Sequence, residues 1–251
     1  MIEPVNWLLF YKHVGALPSE FAELLACDDT LFQRTGNVKT WGQSQETTFA
    51  GIQDLQAAFD RGRSEIEAGG FVLARESRFD PSVFDFDRLT NEIEQAARRA
   101  FTAIRDSHPD EDIRAYAIIT DDSAMTIGPV ANSVQAFQAA KNDPDVFWNS
   151  AEWSFREGGE YFDVAYRMLL TQHQGTWPKV PFEEFTAGVA EAAIRALERL
   201  DRESFFGSSQ DRDENIVLFQ VADSEYLDDA IKRLNTPRAY SQFKDWWAGW
   251  N

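Results

Sequence analysis

Ala115-Tyr116-Ala117-Ile118-Ile119-Thr120-Asp121-Asp122-Ser123-Ala124-Met125-Thr126-Ile127 decides the fold class. Its first residues are apolar, with β-branched and aromatic side chains that suit a pleated surface. Asp121-Asp122-Ser123 has turn chemistry, because short polar side chains bond their own backbone, and Met125-Thr126-Ile127 reads as a returning strand. The stretch predicts a β-hairpin. Just upstream, Phe86, Leu89, Ile93, Ala97, Phe101 and Ile104 recur at three and four residues, the spacing of an amphipathic helix. Asp85 and Asp87 favour its positive N-terminus, and Pro109 stops it just after His108.

Downstream, Asn132 stands three residues before Gln135, as a cap does for a short helix running to Ala140. Asp143-Pro144 ends that helix, and the segment around Trp148 and Trp153 reads as an irregular or strand-like crossing before a helix from Tyr161 to Thr171. Pro181 opens a long helix with Phe182, Phe185, Val189, Ala193, Ala196 and Leu200 along one stripe. Ile216-Val217-Leu218-Phe219 with Val221 is the most continuously apolar run, which predicts a central strand covered on both faces. Two final helices follow, near Glu225 to Leu234 and Arg238 to Trp247.

Upstream of residue 85 the chain reads as helical pieces between polar stretches. Ser19 to Ala26 has apolar residues at helical spacing, Thr35 to Thr48 is turn-rich, and Gly51 to Ala68 is helical again. Phe71 to Ala74 is a candidate strand, and Asp80-Pro81-Ser82 breaks the chain. The expectation is an α+β protein: residues 85–251 form a mostly antiparallel central sheet flanked by helices, with the hairpin 115–127 and the strand 216–221 in its centre. Residues 1–84 are expected as an N-terminal helical extension packed on that domain.

The chain has 251 residues, 43% of them hydrophobic, with eight Trp and twenty Phe, which is enough apolar matter to bury a large core. Its 42 acidic and 24 basic side chains give a net charge of −18. That charge opposes phosphate surfaces, so neither nucleic acid nor an anionic membrane is an expected partner. No run approaches the roughly 20 apolar residues that cross a bilayer, and Glu3 stands where a signal peptide carries basic residues. Cys27 is the single cysteine, which excludes an intrachain disulfide framework and a multi-thiolate metal site. These features together predict a cytoplasmic protein.

No phosphate-cradling glycine loop, nucleophile elbow or calcium loop occurs. His13, His108 and His173 are too scattered to share a metal, and no cofactor or metal is expected. His108 reads as a cation at a helix C-terminus, and Cys27 as a buried or incidental thiol. Asp121 and Asp122, with Glu152 and also Glu157 or Glu160, could converge as carboxylates for a magnesium ion or acid–base work; the Asp pair is equally what a tight turn favours. Arg212, in the polar loop Ser208 to Asn215, is a possible donor to Glu152. Trp148 and Trp153 suit a core. Trp246, Trp247 and Trp250 need cover at a chain end, either from the protein's own N-terminal helices or from another chain.

The series Ala100-Phe101, His108-Pro109-Asp110-Glu111, Tyr116-Ala117, Thr120-Asp121-Asp122, Asn132, Trp148, Ala151-Glu152-Trp153, Phe206-Gly207 and Leu234-Asn235 resembles an uncharacterised bacterial domain-of-unknown-function family over residues 85–244. Proteins of this kind are similar in size and acidity to bacterial immunity proteins. The resemblance implies no cofactor and no catalytic set.

The expected role is an acidic binding protein of the immunity type, which neutralises a basic toxin by protein–protein contact. Asp121, Asp122, Glu152, Trp153, Arg212, Trp246, Trp247 and Trp250 are its expected partner-binding residues. An enzyme with a carboxylate site around Asp121, Asp122 and Glu152, metal-dependent or not, is the alternative. A structural subunit joined through the C-terminal tryptophans is the second alternative.

Overall fold

A computed structural model describes residues 5–15, 17–27, 29–38, 40, 42–79, 84–174, 180–208, 211–222 and 226–249. The chain forms two compact units. One comprises Met1–Phe84 with Gly175–Val180, the other Asp85–Gln174 with Pro181–Asn251.

The first unit is built on a sheet. Strands β1 (Val5–Val14), β2 (Leu17–Cys27), β3 (Thr30–Asn37) and β4 (Gln43–Thr48) follow one another, helix α1 spans Ile52–Ala68, and β5 (Val72–Phe79) pairs back on β1. All pairings are antiparallel, in the order β4-β3-β2-β1-β5. One face carries Leu8, Phe10, Leu24 and Leu31 against Leu55 and Phe59 of α1. The opposite face is buried too, through Trp7, Leu9, Phe21 and Leu25.

The helical extension expected over residues 1–84 is therefore corrected to a five-stranded sheet carrying one helix. Ser19–Ala26, expected as a helix, lies in β2. The cause is burial of both faces: Phe21, Ala22, Leu24 and Leu25 are all inside, so the polar–apolar alternation of a half-exposed strand is missing. Glu23, the polar interruption, sits directly opposite Arg34 of β3 and bonds its guanidinium. Helix α1 and strand β5 fall where the sequence placed them. The expected break at Asp80-Pro81-Ser82 lies outside the described residues.

In the second unit, α2 (Phe86–Ser107) starts at Asp85, whose carboxylate accepts the Arg88 N–H at 2.8 Å. Strands β6 (Ile113–Thr120) and β7 (Ile127–Ser133) form the predicted hairpin. Helices α3 (Val134–Ala139), α4 (Pro144–Trp148), α5 (Asp163–Gln174) and α6 (Phe182–Arg202) follow. The chain then returns as β8 (Ile216–Val221) and ends in α7 (Asp228–Leu234) and α8 (Pro237–Trp247). Two local expectations change. Ser133, not Asn132, caps α3 by accepting the Ala136 N–H; Asn132 instead accepts from Ser154. The crossing near Trp148 contains a helical turn, which Pro144 and the Asp143 cap initiate.

The sheet order is β7-β6-β8, with β8 parallel to β6. Strand β6 is thus central, and the expectation of a central 216–221 strand is corrected: β8 lies at the edge. Its apolar run reflects cover by helices on both faces rather than strands on both sides. On one face, Tyr116 meets Phe101 of α2 at 5.3 Å between ring centroids. Helices α2 and α6 lie together, and Gly188 makes this possible, since a Cβ there would stand 2.3 Å from the Phe86 ring. Arg195–Asp87 and Arg199–Glu94 ion pairs, at 2.9 and 3.2 Å, line the outer seam. The other face packs Ala117, Val130 and Leu218 with Trp148, Trp153 and Phe243. The architecture is α+β, as expected. No helix among the described residues is long and apolar enough to cross a membrane.

Candidate functional site

The β6–β7 turn forms one wall of a cleft of about 450 Å³ in the second unit. The turn is built around Asp121. Its carboxylate accepts the backbone N–H groups of Ser123 and Met125, each at 3.0 Å, and of Thr126 at 2.7 Å, together with the Thr126 hydroxyl. Burial acts to raise its pKa, but the Thr126 hydroxyl and the three backbone donors outweigh burial and hold it below the ordinary aspartate value. Asp121 is therefore ionised and committed to the turn. Asp122 is exposed and accepts the Ser123 hydroxyl at 3.0 Å.

The other walls come from α6 and α7. Thr186, Ala187 and Ala190 of α6 are small, which leaves room beside Glu191. Phe219 and Ile194, both buried, with Val221 form an apolar floor, and Leu227, 40% exposed, stands at its margin. Helix α7 adds Asp229, Ala230 and Arg233. Arg233 ties the two helices. Its guanidinium donates to both oxygens of Glu191 at 2.7 and 3.0 Å and to both oxygens of Glu198 at 2.9 and 3.1 Å. Hydrogen bonds from Arg233 lower the Glu191 pKa, and the two glutamates raise that of Arg233. Asp229 approaches the same guanidinium at 3.8 Å. The cleft thus has four carboxylates, Asp121, Asp122, Glu191 and Asp229, against one guanidinium already held by two glutamates.

The remaining sequence candidates lie elsewhere. Glu152 is exposed on a short 3-10 turn, Ser150–Glu152, and does not line the cleft. Among the described residues no three His, Cys, Asp or Glu side chains gather around a metal position. Glu157 contacts His108, whose ring lies 4.5 Å from that of Phe155. Trp153, expected at a contact surface, is buried and its indole donates to the Val146 carbonyl at 3.1 Å. Arg212 is also inside. It donates to Asp201 at 2.7 Å, to the Asn215 carbonyl at 2.6 Å and to the Leu234 carbonyl, not to Glu152. A guanidinium in a polar-looking loop reads as exposed, but here it satisfies carbonyls just before β8 and at the end of α7.

Trp246 and Trp247 are half-buried and pack against the second unit's own core. Trp247 stacks with Phe243 at 6.1 Å, both lie near Tyr226, and the Trp246 indole donates to Asp145 at 2.9 Å. Trp250 lies outside the described residues. The cleft residues on α6 and α7 escaped sequence reading because Glu191, Asp229 and Arg233 look like any solvated helix face. Only the β8 side of the floor had a signal, in the apolar run 216–221.

A family model described as a domain of unknown function, DUF4303, matches residues 93–236, inside the 85–244 stretch that carries the resemblance. No curated protein matches the chain. A solved structure of a protein from Bacteroides fragilis is 17% identical over 28% of this chain, with a TM-score of 0.25. That alignment spans 19% of the Bacteroides fragilis protein and carries no argument about fold or role.

Proposed function

We propose, from the premise that the chain belongs to the domain-of-unknown-function family DUF4303, that it is an intracellular acidic binding protein of the immunity type, which neutralises a basic toxin by contact. The observation that carries this reading is how the protein uses its cations. Acidic side chains outnumber basic ones by 42 to 24, and the guanidiniums of Arg34, Arg98, Arg114, Arg199, Arg212 and Arg233 are all engaged by the protein's own carboxylates. Those pairs cancel charge one for one, so the surplus carboxylates behind the net charge of −18 set the sign of the field outside. Such a field steers a cationic protein toward the surface and repels nucleic acid.

The test is co-purification with the products of the genes adjoining its own. The expected result is a stoichiometric complex with a basic protein, association that slows as salt rises from about 0.05 to 0.5 M, and protection of cells from that protein. If no adjoining product binds, and the chain protects against none of them, the reading falls.

A further inference from the structure

We infer that the cleft between the β6–β7 turn and helices α6 and α7 seats a basic segment of the partner, which lays a lysine or arginine stem on the apolar floor and places the charged head among the rim carboxylates. This rests on the proposed reading of the protein as a binder of basic proteins and assigns the surface that does it.

The shape and chemistry of the cleft select this occupant. Its volume, about 450 Å³, falls in the range of sites that hold a side chain or small ligand. The floor of Phe219, Ile194 and Val221 suits a methylene stem and offers nothing to a hydrated metal ion. The rim repels a phosphate or carboxylate. Its four acids are not equivalent. Asp121 is consumed by the turn and Glu191 by hydrogen bonds from Arg233, which leaves as counter-charges Asp122 and Asp229, exposed on different walls. Asp229 is 82% exposed and no nearer to Arg233 than 3.8 Å, beyond hydrogen-bond reach. An amphipathic cation meets both requirements together: apolar contact along its stem and opposite charge at its tip.

The probe is an acetylated, amidated pentapeptide alternating leucine and lysine, titrated into the full-length ¹⁵N-labelled protein; a glutamate-for-lysine peptide is the control. The expected result is saturable shifts confined to the amides of Asp121–Ala124, Ala187–Glu191 and Leu227–Arg233, none with the control, and affinity reduced about tenfold in Asp122→Asn/Asp229→Asn. Both substitutions are at exposed positions, and an unchanged amide spectrum shows that the variant is folded. Shifts spread over the whole acidic surface, no saturable binding, or undiminished affinity in the variant overturns the assignment. With the partner in hand, the same variant separates the two claims. Undiminished partner binding removes the cleft and leaves the function, whereas peptide binding in the cleft with no basic partner removes the function and leaves the cleft.

Discussion

The carboxamide of Asn235 grips the main chain of Val217 at both ends: Oδ1 accepts the Val217 N–H at 3.0 Å, and Nδ2 donates to the Val217 carbonyl at 2.7 Å. Nδ2 also donates to Ile231 at 3.0 Å, which joins the strand edge to the helix that covers it. Strand β8 is an edge strand, and one side chain here takes the place of a neighbouring strand, blocking the edge against another chain. Replacing Asn235 with Ala leaves buried backbone groups unpaired and is expected to lower stability by about 2–3 kcal/mol in urea denaturation. Asn235→Asp should be no better, since a carboxylate accepts the Val217 N–H but faces two carbonyl oxygens without a proton to give. A loss of under about 0.5 kcal/mol for the alanine variant, the range of an ordinary surface change, would show that the clasp is incidental.

Gly207 carries a second structural constraint. Its φ is +113°, a region that side chains avoid, and a Cβ there would stand 2.6 Å from Nδ2 of Asn215. That nitrogen donates to the Phe206 carbonyl, so the intruding methyl strains the backbone and pushes away a buried donor. Gly207→Ala is expected to cost about 1–3 kcal/mol, read as a fall in thermal midpoint. A variant as stable as the parent would mean that the loop relaxes freely around the new carbon.

These two residues explain what the family resemblance was built on. Phe206-Gly207 and Leu234-Asn235 meet around Arg212, which bonds the Leu234 carbonyl and the Asn215 carbonyl, and Trp148 and Trp153 fill the core on the far side of the sheet. These residues serve packing, so the resemblance outlined the second unit without pointing to chemistry. Helices α2 and α6 were legible because each has one buried face and a terminal signal, at Asp85 and Pro181, and the hairpin, although buried on both faces, because its β-branched and aromatic strands flank the Asp121 turn. Strand β2 was not, because burial on both faces erases alternation and Leu24-Leu25-Ala26 then mimics a helical stripe. Of the cleft only the Asp121–Asp122 turn was singled out: Glu191 and Asp229 reach it from two distant segments, and no spacing rule links them to it.

The turn at Asp121 gives a pH prediction whose sign follows from its depressed pKa. Its bonds favour the ionised form, so the stability they provide is complete above the unfolded value near about 4 and is lost as pH falls through the lower folded value. Asp121→Asn keeps one acceptor and turns an amide donor toward Thr126. At pH 7 the variant is expected to be less stable by about 1 kcal/mol, a figure reduced for solvent screening of a half-exposed group. That gap should close as acid protonates the parent's carboxylate. Denaturation curves from pH 7 down to about 2.5 test it, and a gap independent of pH would show that the charge on Asp121 is not what holds the turn.

In the first unit, Glu23 and Arg34 face each other across β2 and β3, each over nine-tenths buried. Glu23 also accepts the Trp7 indole N–H at 2.6 Å, and the Arg34 guanidinium lies 5.6 Å from the centre of the Phe21 ring. Withdrawing two charges from water offsets most of their attraction, so the pair contributes little net stability, while removing one partner leaves a buried charge that its surroundings were not built to hold alone. Glu23→Leu is therefore expected to cost about 3–5 kcal/mol, and Glu23→Leu with Arg34→Met to regain most of it, giving a large coupling in a double-mutant cycle. Additive losses would refute the pairing as the source of the effect. The recovered double variant bears on a further question, because a one-residue slip of β2 against β3 would set Glu23 opposite Gln33 or Thr35 and turn its carboxylate to the face packed on α1. The charges penalise that slip and an apolar pair does not. Faster amide exchange across Leu31–Gly36 in an otherwise stable double variant would therefore show that the buried pair fixes strand register more than it stabilises the sheet.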